Sequence, residues 1–260
     1  MYDFAEVHTS TMQIVEALAL SLSAIGLDAH AAVPNASVHA DLMHHWSSDA
    51  MLLSQSCGLP FIEELHTSVD IVGTPLWADV SDERGWYRTV IVVPQSLDIA
   101  SIDQALELRP VVNNTQSLSG WCSLGVALAN AANNSLVATP YVQSGGHAMS
   151  LQMLQDGEAD IASIDSVTYR LLSRHRPDLV NNLRVIGYGP LVPATPIIVS
   201  KSLAVDANEL YRVVCGVFGR SDLQAALGDI GISGFVRLAN SDYDGVMELV
   251  KTAEVVLPRR

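Results

Sequence analysis

Short apolar runs that end in polar, glycine-bearing turns and lead into helical periodicity recur along this chain. That alternation constrains its fold more than any other feature. Val111-Val112 runs into Asn113-Asn114-Thr115-Gln116-Ser117-Leu118-Ser119-Gly120, and then into a pattern that sets Trp121, Leu124 and Leu128 on one helix face. Tyr141-Val142-Gln143-Ser144-Gly145-Gly146-His147 repeats the arrangement ahead of a helix over 148–155. Ile161-Ala162-Ser163-Ile164 is a buried strand closed by Asp165, with a helix from Ser166 to about Arg174. The pattern predicts an α/β fold with mostly parallel sheets.

The remaining elements follow from the same signals. A helix is expected over 11–25, with Gly26 as its C-cap. A short strand is expected over 29–33 and a helix over 37–46. Asp49 to Ser54 reads as a buried strand that leads into Gln55-Ser56-Cys57-Gly58. Strands are expected over 69–76 and 86–94, the latter being the most β-branched and aromatic run. A short helix spans 98–106. Strands over 183–186 and 195–200 bracket a Gly/Pro-rich passage over 187–196, and helices follow over 208–218, 222–227 and 243–255. The extended segments 86–94 and 187–196 read as two crossovers between two lobes, 1–88 with 194–260 and 89–193.

Composition narrows the function classes. Apolar residues make up 49% of the 260, which supports a packed core. The 28 acidic against 14 basic residues exclude a nucleic-acid partner, which needs a basic face, and an anionic membrane surface. An acidic protein still binds an anion where the local field is positive. The three cysteines, Cys57, Cys122 and Cys215, are too widely spaced for a zinc motif or a disulfide framework and read as buried thiols. His39, His44 and His45 lack the i, i+4 spacing of a helical metal site, so no metal is expected. Glu16 and several serines interrupt the apolar run over 14–27, so it reads as an amphipathic helix and not as a membrane span. No signal peptide is visible.

The turn at 113–120 carries the most chemistry. The first turn of a helix has backbone N–H groups without intrahelical partners and the positive end of the dipole. Ser117 and Ser119 add hydroxyls, and Gly120 closes the turn, so a phosphate or carboxylate can bind there without Lys or Arg. Read alone, the stretch is equally an ordinary N-cap. His147 stands as a donor to an oxyanion or as a cap on its own helix. Asp165 stands as an N-cap or as an acceptor for a protonated ligand atom. Cys57 has no His or Asp near it in sequence to activate it.

Five segments then occur in a recognisable order: Leu53-Ser54-Gln55-Ser56-Cys57-Gly58-Leu59-Pro60, Tyr87-Arg88-Thr89-Val90-Ile91-Val92, Ser117-Leu118-Ser119-Gly120, Ser144-Gly145-Gly146-His147 and Ala159-Asp160-Ile161-Ala162-Ser163-Ile164-Asp165. Together they resemble the phosphate/phosphite/phosphonate-binding proteins of ABC importers. The resemblance implies a type II periplasmic-binding-protein fold, two α/β lobes joined by two crossover strands with a ligand cleft between them. It implies that Ser117, Leu118, Ser119 and Gly120 hold the oxyanion, with Tyr87 and His147 as side-chain donors and Asp165 beside them. Gln55, Ser56 and Gly58 would face them from the first lobe, and Tyr2 matches the Met-Tyr that ends the family's first strand. It implies a small oxyanion ligand, an ABC permease as partner, a monomer and no cofactor.

This chain departs from the family in three ways. It opens at Met1-Tyr2, ahead of which the family has a strand and an export signal. Its location is therefore periplasmic by resemblance and cytoplasmic if this start is genuine. Leu118 stands where a threonine is usual, and Pro193-Ala194-Thr195-Pro196 offers Thr195 where binders of aminoalkylphosphonates carry a carboxylate. The leading expectation is a solute-binding protein without catalysis. Its competitors are an enzyme on the same fold, resembling a thiamine pyrimidine-precursor synthase, and a cytoplasmic ligand-sensing module.

Overall fold

The structure is a computed structural model and describes residues 2–31, 39–133 and 139–259. It divides into two compact units, Met1–Trp86 with Pro193–Tyr243 and Tyr87–Val192 with Asp244–Arg260. Among the described residues, no helix is long and apolar enough to cross a membrane.

The first unit is built on a four-stranded sheet in the order Ser54–Gln55, Ile197–Ser200, Val69–Trp77, Ile232–Val236, with every neighbour antiparallel. Helices His8–Ala24, Ala207–Phe218 and Gln224–Ile230 pack in the same unit. The first of these ends as its sequence requires. Gly26 takes φ +88°, which a residue with a Cβ resists, and its N–H donates to Ser23 O at 3.0 Å. Asp206 caps Ala207–Phe218 by accepting from Asn208 N at 2.9 Å. Leu210, Val214 and Val217, spaced on one helix face, are buried.

The second unit has a five-stranded sheet in the order Val142–Gln143, Pro110–Val112, Ile161–Ile164, Val90–Pro94, Leu183–Tyr188. Pro110–Val112 pairs in parallel with Val142–Gln143 and Ile161–Ile164, and Val90–Pro94 pairs antiparallel with Ile161–Ile164 and Leu183–Tyr188. The expectation of mostly parallel sheets is therefore corrected. Ile161–Ile164 is buried at every position and Val90–Pro94 at all but the last. A continuous apolar run reports burial of both faces and not strand direction.

Other expectations change for local reasons. Asp49 to Ser54 is not a strand; only Ser54–Gln55 finds a ladder, against Ile198 and Ile197. The run 86–94 is two strands, Trp86–Tyr87 and Val90–Pro94. Between them Arg88 Nη1 donates to Gly189 O at 2.9 Å and Thr89 O accepts from Gly189 N at 3.0 Å. No strand was expected at Ile232–Val236, whose Ser-Gly interior hides its β character. Residues 29–31 are not strand, and the rest of the expected 29–33 strand and the start of the 37–46 helix lie outside the described residues. Of the three cysteines, expected as buried thiols, only Cys122 is buried; Cys57 and Cys215 are half-buried.

The chain passes between the units at 86/87 and 192/193, within short strands, and a third time at 243/244. Residues 244–260, read from sequence as first-lobe, thus belong to the second unit. Helix Val246–Val256 buries Val246, Val250, Ala253 and Val256. It lies so close to helix Ser123–Ala131 that a Cβ on Gly125 would stand 2.8 Å from Ala253 Cα.

Candidate functional site

Strand Pro110–Val112 delivers the chain to Asn113, and the five-residue π-helical turn Leu118–Cys122 opens the helix that continues as Ser123–Ala131. Ser117 is its N-cap: the Ser117 Oγ accepts from Gly120 N at 2.9 Å. The amides of Leu118 and Ser119, in the first turn, have no intrahelical acceptor and carry the positive end of the dipole. A hydroxyl network fixes this turn from beneath. Ser163 Oγ donates to Ser119 O at 2.6 Å and lies 2.8 Å from Thr89 Oγ1, and Ser123 Oγ donates to Leu118 O at 2.8 Å. All three hydroxyl residues are buried.

The second junction converges on the same turn. Ser144 N donates to Val112 O at 2.9 Å and Gly145 N to Asn113 O at 2.8 Å, which ties the end of one strand–turn–helix unit to the next. Gly145 takes φ +86°, a turn that sets up helix His147–Gln155. His147 Nε2 comes to 2.9 Å from Ser119 Oγ, which itself lies 3.3 Å from Ser117 Oγ. His147 is half-buried, with Nδ1 closed off from solvent and without a hydrogen-bond partner.

Tyr87 and Asp165 form a second polar pair in this unit. Tyr87 Oη donates to Asp165 Oδ2 at 2.8 Å, and Asp165 Oδ1 caps helix Ser166–His175 by accepting from Thr168 N at 2.8 Å. Both residues are buried. Desolvation pushes the His147 imidazole below its ordinary pKa, and the nearby Asp165 charge opposes this in part. The ring is therefore neutral at neutral pH.

Folding thus holds His147 with fewer protons than the unfolded chain below about pH 6.5, the ordinary imidazole value. Its stabilising contribution is complete above that pH and is lost as the pH falls through it. Between about pH 7 and 5, the melting temperature should fall less steeply in His147→Gln than in the parent. Equal slopes would sink the assignment. His45, also lowered by burial, titrates in both proteins and cancels from the comparison.

Of the residues expected at the site, Tyr87, Ser117, Leu118, Ser119, Gly120, His147 and Asp165 lie in the second unit. Ser119 and His147 are brought into contact, and so are Tyr87 and Asp165. The Leu118 side chain is buried. In the first unit, Gln55 Nε2 donates to Thr195 Oγ1 at 2.9 Å. Ser56 is fully buried with its Oγ unpartnered, and Gly58 is buried at the start of helix Gly58–Pro60. Tyr2 is buried, with its ring edge-on to Trp77 at 4.7 Å.

Asn113, Thr89 and Ser163 were not among the expected site residues. A hydroxyl inside a fully buried strand, as Ser163 is, has to find a partner, and that was the available signal. Asn113 Oδ1 is buried, unpartnered and packed over Gly120.

The chain has relatives among known proteins. A family model described as "ABC transporter, phosphonate, periplasmic substrate-binding protein" matches residues 59–243, more than half of the chain. The chain belongs to this phosphonate-binding family. No curated protein matches it significantly by sequence. Among solved structures, PhnD1 from Prochlorococcus marinus in complex with methylphosphonate is similar with a TM-score of 0.72 at 14% identity, over 96% of this chain and 95% of that one. A binding-protein component of an ABC phosphonate transporter from Pseudomonas aeruginosa is similar with a TM-score of 0.73 at 16% identity, over 95% and 82%. A Xanthomonas citri protein bound to ATP is similar with a TM-score of 0.70 at 13% identity, over 96% and 94%. At these identities the likeness is one of fold, the type II periplasmic-binding-protein fold that the family's motifs imply.

Proposed function

We propose that this chain is the solute-binding component of an ABC importer and holds a small tetrahedral oxyanion on the turn at 117–120, without catalysis. The observation that carries this reading is the 2.9 Å contact between Ser119 Oγ and His147 Nε2 on the first turn of the helix. The amides of Leu118 and Ser119 and the Ser119 hydroxyl are donors around one point, where the helix dipole favours an anion. Family membership supports binding over the enzymatic and sensing alternatives, and it supports a periplasmic location and a permease partner. Gln55, Ser56, Gly58 and Tyr2 are the first unit's residues in the proposal, Tyr2 packing edge-on against Trp77.

The ligand carries no ammonium group. Asp165, the carboxylate of the second unit's site, already accepts from Tyr87 and Thr168, and Thr195 stands where the resemblance looks for a second carboxylate.

Methylphosphonate, phosphite or phosphate should raise the melting temperature, by an amount equivalent to about 2.7 kcal/mol at a ligand concentration of 100 Kd. 2-Aminoethylphosphonate should shift it less. Ser119→Ala removes a donor to a charged acceptor and should weaken binding by about 10- to 100-fold, while Gln55→Ala tests the first unit's part separately. A panel of oxyanions that leaves the parent's melting temperature unmoved would show the ligand assignment to be wrong.

A further inference from the structure

Among the described residues, no lysine or arginine bonds to Ser117, Ser119 or His147: their side-chain partners are one another and Gly120 N. The charge that the turn does feel is negative. Asp165, buried and tied to Tyr87 and Thr168, acts on the His147 ring. A doubly charged oxyanion added beside that carboxylate would place like charges together in a poorly solvated site, which costs far more than the hydrogen bonds return. One group in contact with Ser119 can change its charge, and that is the imidazole.

Resting on the proposed oxyanion function, we propose that binding at this turn is proton-linked: His147 takes up one proton as the oxyanion arrives, and the bound state is an imidazolium–oxyanion pair. The proton comes from solvent when the ligand arrives as a dianion. It comes from the ligand's own hydroxyl when the ligand arrives singly protonated, and the proton count is then unchanged. No bond other than this N–H forms, and none but the donor's breaks.

The geometry favours this residue over any other. Nε2 already lies in hydrogen-bond contact with Ser119, so an oxyanion on the first turn lies within reach of the ring. Desolvation keeps the ring neutral in the absence of an anion, and an arriving negative charge opposes that directly.

The titratable and charged groups on the surrounding elements are few. Strands Pro110–Val112, Ile161–Ile164 and Val90–Pro94, against which helix His147–Gln155 packs, carry none. Helix Ser166–His175 carries Tyr169, Arg170, Arg174 and His175, and Tyr169 is itself pushed up by burial. Asp178 sits by the far end of the histidine helix, where its carbonyl accepts from Gln155 Nε2 at 2.5 Å. Asp165 is the charge that acts on the ring.

The test is calorimetry with methylphosphonate at about pH 8.5, well above the ordinary imidazole range, in two buffers of different ionisation enthalpy. The parent should take up about one proton per ligand bound, and its affinity should fall about tenfold per pH unit above that range. Binding of methylphosphonate without proton uptake overturns the linkage but leaves the oxyanion function standing. Proton uptake that persists undiminished in His147→Asn overturns the role of His147, because the ligand itself would then carry the proton. Absence of any binding overturns both. Nitrogen-15 spectra of the imidazole in the parent provide a readout that does not depend on the variant folding. They should change from a neutral to an imidazolium pattern on addition of methylphosphonate, and an unchanged neutral pattern in a saturated complex overturns the proposal.

Discussion

Gly120→Ala should lower the stability of the second unit by about 1–3 kcal/mol and weaken oxyanion binding with it. A Cβ at this position would stand 1.9 Å from Asn113 Oδ1 and 2.8 Å from Asn113 Cγ, well inside contact distance. The obstacle is a side-chain end, but one with little freedom. Asn113 Oδ1 is buried, and the Asn113 carbonyl holds Gly145 N at 2.8 Å. Relief by rotating the Asn113 side chain would disturb the packing over Gly120. Relief by shifting Gly120 would break the 2.9 Å cap to Ser117 Oγ and misplace the first-turn amides. Thermal unfolding and methylphosphonate titration of Gly120→Ala, Asn113→Ala and the double variant separate these effects. Residues in contact couple by about 0.5–3 kcal/mol, so the double variant should recover much of the lost stability. A simple sum of the two single losses would show that the clash is not the cause.

The second large effect is expected at Gly125, where two helices of the second unit meet. Alanine here puts its Cβ 2.8 Å from both Ala253 Cα and Ala253 Cβ and 3.1 Å from Ala253 O. Backbone cannot rotate aside, so helix Val246–Val256 has to lift away from helix Ser123–Ala131. The gain in helix propensity, about 1 kcal/mol for Gly to Ala, is smaller than an overpacking cost that reaches about 3 kcal/mol. Trp121 reports the event locally, because its Nε1 donates to Leu257 O at 2.8 Å and Arg259 lies 4.3 Å over its ring. In Gly125→Ala the Trp121 indole resonance should shift and amide protection over 246–256 should fall. Gly216, inside helix Ala207–Phe218 with open space where its Cβ would go, provides the control. Gly216→Ala should stabilise by up to about 1 kcal/mol. If both alanines act in the same direction, packing at Gly125 is not what the glycine serves.

These two glycines show the limit of local reading. Gly120 was legible as a turn residue because it follows two serines and precedes a helical stripe. That Asn113 lies over it could not be read, since the contact depends on how the strand end folds back over the turn. Gly125 sits unmarked in an apolar helix, and its necessity comes from Ala253, far along the chain. The same distinction runs through the site. Asp165 was legible as an N-cap because the signal is local, three residues from Thr168 N. Its bond to Tyr87 spans 78 positions, and the Ser119–His147 contact spans 28. The resemblance to the family implied a ligand-binding role for all four residues without supplying those contacts.

By itself, the sequence determined the strand–turn–helix junctions, the caps at Ser117 and Asp165 and the helix stop at Gly26. Each depends on hydrogen bonds and dihedral preferences within a few residues. Only the tertiary structure decided strand direction, because apolar runs buried on both faces look alike whichever way they run. It also decided that residues 244–260 belong to the second unit, because an amphipathic helix shows that it needs an apolar neighbour but not which one. And it decided that Ser119 meets His147 and that Tyr87 meets Asp165, since those contacts depend on how non-adjacent strands line up in one sheet.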